Sequence, residues 1–234
     1  MQKGKINTIV LSMYFLVGAV EIAVVLGDFD LIHHFAKPLL MPILALYYFI
    51  EIRGSKLKAN RILLFSLGFS WLGDAFLMYQ KSNEIYFILG LGSFLVAHVL
   101  YIICYVKMSN QSEVDKDKRP RLARYDLFLV LIWFALISVL LPVLGEMKIP
   151  VMLYSMTITG MTLAALHRFQ KTTQSSFWMV MIGALIFMLS DSMIAINMFL
   201  EPIAHASTLI MVTYIIAQVF IVKGLIGHQK HSET

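Results

Sequence analysis

Two aspartates stand where a carboxylate is hardest to keep. Asp74 lies in Ser70-Trp71-Leu72-Gly73-Asp74-Ala75-Phe76-Leu77, and Asp191 follows Leu189-Ser190, both inside runs otherwise apolar enough to cross a membrane. A carboxylate at the centre of a spanning helix costs roughly 2.5–3.5 kcal/mol on insertion scales, so by default it faces protein or water and carries a function. Two carboxyls close together in a poorly solvated site tend to share one proton, because burial and like charge both oppose double ionisation. One can then donate a proton while the other stabilises a developing cation and activates water. Spacing alone leaves open which does which.

Other polar residues fall in similar runs. Glu21 reaches almost the depth of the two aspartates. Tyr214 and Gln218, four apart, share one helix face, and His98 and Tyr101, three apart, share another. Lys37, near a helix end, can contact a phosphate or pair with an acid. All of these are expected to line one polar cavity with the aspartates. Each also has a plainer explanation: interhelical hydrogen bonding for His98 and Gln218, packed aromatics for Tyr101 and Tyr214, and snorkelling to the surface for Glu21.

The elements that position these residues are read from the hydrophobic blocks. The chain has 234 residues, is 59% hydrophobic with 16 Phe and 15 Met, and has a mean hydropathy of +0.78. Its apolar residues come in blocks of about 20, the length a helix needs to cross a bilayer core; the alternating segments of about 10 residues of a transmembrane barrel are not seen. An all-α, polytopic bundle of eight transmembrane helices follows, near 6–26, 35–52, 61–79, 84–106, 125–144, 149–167, 177–199 and 206–226. The first block lacks a small-x-small cleavage pattern and is read as a retained helix, not a signal peptide. Of the 19 Lys and Arg, all but Lys37, Lys81 and Lys148 fall in alternate links, which places both termini in the cytoplasm. Asp74 then lies about 13 residues, roughly 20 Å, from the cytoplasmic start of helix 3, and Asp191 about 14 residues into helix 7, running the same way.

The whole chain, 1–234, is expected to form one transmembrane domain. A basic cytoplasmic loop, 107–124, joins possible pseudo-repeat halves 1–106 and 125–227, in which helices 3 and 7 are equivalent and carry Gly73-Asp74 and Ser190-Asp191.

Several chemistries have no support. Cys104 is the single cysteine, so an intrachain disulfide is excluded. The formal charge of +5 lies in the links and no nucleic-acid module accompanies it. His33, His34, His228 and His231 are placed in links or at the end, and no spacing resembles a metal site, so no metal and no cofactor are expected. Gly90-Leu91-Gly92 is read as a close-packing surface. From the buried acids alone, a proton-coupled transporter or lipid-binding membrane protein is the alternative to an enzyme, and a metal-dependent lipid amidase a third possibility.

Lys37-Pro38, Leu72-Gly73-Asp74-Ala75-Phe76-Leu77, Gly90-Leu91-Gly92-Ser93-Phe94 leading to His98-x-x-Tyr101, Leu189-Ser190-Asp191 and Thr213-Tyr214-Ile215-Ile216-Ala217-Gln218 together resemble the motif series of the YhhN-like lysoplasmalogenase family. The resemblance spans helices 2 to 8. It implies an eight-helix membrane enzyme that cleaves the vinyl ether bond of lysoplasmalogens to a fatty aldehyde and a glycerophospho-alcohol. It places the catalytic expectation on Asp74 and Asp191, with Lys37, His98, Tyr101, Tyr214 and Gln218 as site lining. The implied partners are a lysophospholipid-like substrate and membrane lipids, with no nucleic acid. The implied location is a multi-pass integral position, in the plasma or inner membrane if the source is bacterial.

Overall fold

A computed structural model of the chain describes residues 2–27, 29–53, 59–80, 82–109 and 122–232. Among the described residues there are eight α-helices and no strand: α1 (Gln2–Leu26), α2 (Asp30–Glu51), α3 (Ala59–Met78), α4 (Glu84–Ser109), α5 (Ala123–Leu140), α6 (Lys148–Leu166), α7 (Gln174–Phe199) and α8 (Ala206–Ser232). Seven of them are long and apolar enough to cross a membrane. The exception is α2, which carries Asp30, His33, His34, Lys37 and Glu51. Its 22 residues still extend about 33 Å at 1.5 Å per residue.

Two boundaries move from expectation and matter for function. α2 begins at Asp30, so His33 and His34 are helical, the first half-buried and the second exposed, and not in a link. α8 continues to Ser232, so His228 and His231 are helical as well. The His228 ring is buried, with Nε2 2.7 Å from the Met108 carbonyl oxygen. The other shift is at α5, which stops at Leu140 because Pro142 cannot continue a helix. A 3-10 turn over Gly145–Met147 follows, with Gly145 at φ +51°, a conformation glycine adopts without a Cβ clash. Most of the basic loop expected at 107–124 lies outside the described residues.

Glycine sets the closest helix contacts. A Cβ on Gly73 would sit 2.5 Å from the Phe94 ring, and one on Gly90 2.7 Å from Leu77, so α3 and α4 pack through both. Gly92 has open space around it and does not share this role. At Gly183 a Cβ would meet Ala217 O at 3.0 Å, which brings α7 against α8.

Prolines in α2 shape its contact with α3. Pro42 has no N–H to give the Pro38 carbonyl, one turn back, and Trp71 Nε1 donates to that oxygen at 2.9 Å instead. The freed backbone group thus becomes the point where α3 docks. At the end of the bundle holding the α6–α7 link, Arg168 is fully buried, donates to Ser176 Oγ at 2.9 Å and lies over the Tyr105 ring. Ser176 Oγ in turn donates to Gly224 O at 2.6 Å. Burial lowers the Arg168 guanidinium to about 10, which leaves it charged at neutral pH. Lys230 pairs with Glu51 at 2.6 Å at the same end.

The main core joins α1 to α4 and α6 to α8, with Leu129 of α5 reaching it, and the C-terminal end of α5 packs through a smaller cluster of Ile137, Leu140, Leu144 and Val151. Outward faces carry large apolar side chains such as Leu16, Phe35, Phe134 and Ile149, the pattern of a surface that meets lipid. The protein is a multi-pass integral membrane protein.

Candidate active site

Asp74 and Asp191 are both buried. Tyr214 OH donates to Asp74 Oδ2 at 2.8 Å, which ties α8 to α3. The same four-residue spacing on both helices makes a second rung, since Gln218 Nε2 reaches Ser70 Oγ at 3.5 Å and Gln218 Oε1 accepts from Tyr101 OH at 2.7 Å. The Tyr214 and Gln218 pattern therefore has a structural counterpart in Ser70 and Asp74. Tyr14 OH, from α1, donates to Ile215 O at 3.1 Å beside them.

Asp191 is held differently. Tyr154 of α6 donates its hydroxyl to Asp191 Oδ2. His98 Nε2 lies 3.7 Å from the same oxygen, too far for a hydrogen bond, and among the described residues neither ring nitrogen of His98 has a hydrogen-bond partner. The fully buried His98 ring is stacked on Phe94, edge-on to Phe187 and tilted against Tyr154. Phe94 and Phe187 also pack edge-on to Tyr214. Two phenylalanines thus separate the Asp74–Tyr214 pair from the Asp191–Tyr154–His98 group. Among the described residues no hydrogen bond joins the carboxylates, but Asp74 is within electrostatic reach of Asp191.

Charge gathers on the Asp74 side, where Lys37, Glu21 and His33 all act on it through space. Glu21 is fully buried, not snorkelled, and its Oε1 is 2.7 Å from His33 Nδ1.

Above this layer lies a cavity of about 620 Å³, at the bundle end where the α1–α2, α3–α4 and α7–α8 links gather. Its polar lining comes from His33, His34, Lys37, Gln80, Asn197 and Ser207. Its inner wall is formed by Leu77, Met78, Ile194, Ile210 and Met211. These positions are three or four residues from Asp74, Asp191 and Tyr214, so the acids lie one helical turn beneath the cavity. The order along the bundle is cavity, acid layer, then a floor made by Ser70, Tyr101 and Gln218.

Of the residues singled out from sequence, Lys37 lines the cavity and Asp74, Tyr214, Asp191 and His98 form the layer below. Glu21 lies one turn below the cavity residues Val24 and Val25 on α1, while Tyr101 and Gln218 are on the far side of Asp74. Tyr154 and His33 were missed. Tyr154 stands alone in its helix, but its depth was a signal. It is roughly 9 Å from the cavity end of α6, and Asp191 roughly 12 Å from that end of α7.

Fold and site define a class: multi-pass helical membrane proteins with a carboxylate pair buried beneath a polar-lined cavity. Within that class, the chain belongs to the YhhN family, whose sequence model matches residues 32–225. It is 31% identical to the lysoplasmalogenase TMEM86A of Bos taurus over 190 residues, 77% of this chain and 73% of that protein. It is 30% identical to the lysoplasmalogenase TMEM86B of Homo sapiens over 182 residues, 77% and 70% of the respective chains. No solved structure matches the chain.

Proposed function

We propose that this protein is a membrane-embedded hydrolase that cleaves the vinyl ether bond of a lysoplasmalogen-type lysophospholipid, giving a fatty aldehyde and a glycerophospho-alcohol. The observation that carries this is the placement of two buried carboxyls, each with its own tyrosine donor, one turn beneath a cavity walled by Lys37. The naming of curated relatives as lysoplasmalogenases supports the substrate class. Proton-coupled transport, the alternative for buried acids, draws no support from these relatives.

The phosphate of the head group sits in the cavity toward Lys37 and His34, and the ether enters the acid layer. Protonation of the vinyl β-carbon creates an oxocarbenium ion; water adds, and the hemiacetal collapses to aldehyde and alcohol. We assign the proton donor to Asp191, which faces rings and neutral hydroxyls. The ionised partner is Asp74, which faces Lys37 and His33 and can offset the cation and take a proton from water. Tyr154 and Tyr214 fix the two carboxyls. In this reading the cavity opens on the non-cytoplasmic side and both termini are cytoplasmic, which the gathering of Lys and Arg in the links at the opposite end supports. No step is routed through a metal, so chelation is expected to leave the rate unchanged.

Hydrolysis in D2O with rapid trapping of the aldehyde tests the chemistry. One deuterium at carbon 2 of the aldehyde is expected; aldehyde free of deuterium there contradicts protonation at carbon.

A further inference from the structure

The two-aspartate chemistry leaves the Glu21–His33 pair unused. Glu21, fully buried in α1, has its Oε1 2.7 Å from Nδ1 of His33 on the neighbouring helix, which supplies a counter-charge whenever the ring is protonated. The contact is off the line a hydrogen bond requires and acts as an electrostatic pair. A carboxylate behind an imidazole fixes its orientation. With Nδ1 turned to Glu21, Nε2 is the ring nitrogen left for a ligand, and His33 lines the cavity.

If the head group fills the cavity and the alkenyl carbons reach the acid layer, the glycerol ether oxygen lies between them, at the level of His33. We propose that His33 is a third catalytic group, the acid that protonates this departing oxygen, and that Glu21 is its positioning residue. This assignment rests on the vinyl ether hydrolase reading. At the hemiacetal, Asp191 has already given its proton to the β-carbon. Its carboxylate takes the hemiacetal hydroxyl proton as the C=O forms and the bond from carbon to the glycerol oxygen breaks. His33 Nε2–H supplies the proton that makes that oxygen an alcohol. The proton Asp74 took from the attacking water then returns to His33, so vinyl ether plus water gives aldehyde plus alcohol with every side chain restored.

The titratable groups around His33 are Glu21 on α1, His34 and Lys37 on α2, and Asp74 on α3, with Tyr79, in the turn after α3, against His34. α7 and α8 bring Asn197 and Ser207 to the cavity, which do not titrate.

The test compares two substrates: alkenyl-glycerophosphoethanolamine, whose alcohol needs a proton to leave, and an alkenyl 4-nitrophenyl ether, whose phenolate does not. General acid catalysis contributes 10²–10⁴-fold, so His33→Gln is expected to lower kcat about 100-fold on the first and by a roughly tenfold smaller factor on the second, where only its effect on Asp74 is felt. Glu21→Gln is expected to follow the same pattern at about tenfold. An unchanged thermal unfolding midpoint shows that each variant folds. In a quenched time course of His33→Gln, the vinyl ether should disappear before free glycerophosphoethanolamine appears. Equal loss on both substrates, loss on neither, or no lag overturns the role of His33 while leaving the hydrolase reading standing. Wild-type protein that releases no aldehyde from either substrate overturns the hydrolase reading, and this assignment with it.

Discussion

Asp74 looks toward charge and Asp191 toward rings. Around Asp74 are Lys37, Glu21 and His33, with the Tyr214 hydroxyl as direct donor. Around Asp191 are the Tyr154 hydroxyl and a His98 ring boxed by Phe94 and Phe187, and the charged group acting on it is Asp74 itself. Similar carboxyls in unlike surroundings are how one site holds both an acid and an ionised group at one pH. The difference is built by helix choice: α1 and α2 bring charge to the α3 acid, and α4 and α6 bring aromatic side chains to the α7 acid.

The sharpest way to break this contrast is to neutralise each acid. Asp191→Asn and Asp74→Asn are each expected to lower kcat by about 10³-fold or more, since each removes a group that the proposed mechanism uses in the transition state. Their pH profiles should differ. The wild-type profile of kcat is expected to be bell-shaped, rising with pH as Asp74 ionises and falling as Asp191 loses its proton. Residual activity of Asp74→Asn should lack the acid limb, and that of Asp191→Asn the basic limb. Loss of the same limb in both variants means that the two acids do not divide the roles.

Smaller effects should follow the tyrosines. A hydrogen bond to a charged group is worth about 1.5–3 kcal/mol, so Tyr214→Phe is expected to slow kcat by about 10- to 100-fold, measured by aldehyde release. Tyr154→Phe removes a hydrogen bond to the acid in its protonated form, worth about 0.5–1.5 kcal/mol, so it should slow kcat by about tenfold or less and act on the basic limb of the profile instead of the acid limb. Lys37→Gln is expected to raise KM about tenfold, or about 1.4 kcal/mol, if Lys37 holds the head group as proposed, and to move the acid limb of the kcat profile, since Lys37 also faces Asp74. The smallest effect tests the scaffold. Trp71→Phe leaves the Pro38 carbonyl without its donor and should destabilise the protein by about 1–3 kcal/mol with the acid layer intact, read as a lower midpoint of thermal unfolding.

The sequence made the strongest signals visible because they are expensive. Asp74, Asp191 and Glu21 stand out in apolar runs, and the lengths of those runs give eight helices close to the observed ones. The paired spacing of Tyr214 and Gln218 was legible because a helix repeats every 3.6 residues. Tyr154 was not, since a lone tyrosine in an apolar helix looks like packing until the facing carboxyl is known. His33 was hidden by a boundary: with α2 begun at 35 it belonged to a link, and only a start at Asp30 turns it toward Glu21. The phenylalanine partition was illegible for the same reason as Tyr154, because Phe94 and Phe187 are two of 16 and acquire meaning only from what they separate.

The most direct test is aldehyde release from alkenyl-glycerophosphoethanolamine by purified wild-type protein beside Asp74→Asn and Asp191→Asn, each checked for folding by thermal unfolding. Release by the wild type, with both folded variants reduced by about 10³-fold, is the predicted result. Full activity in both variants contradicts the carboxyl pair as the seat of the chemistry.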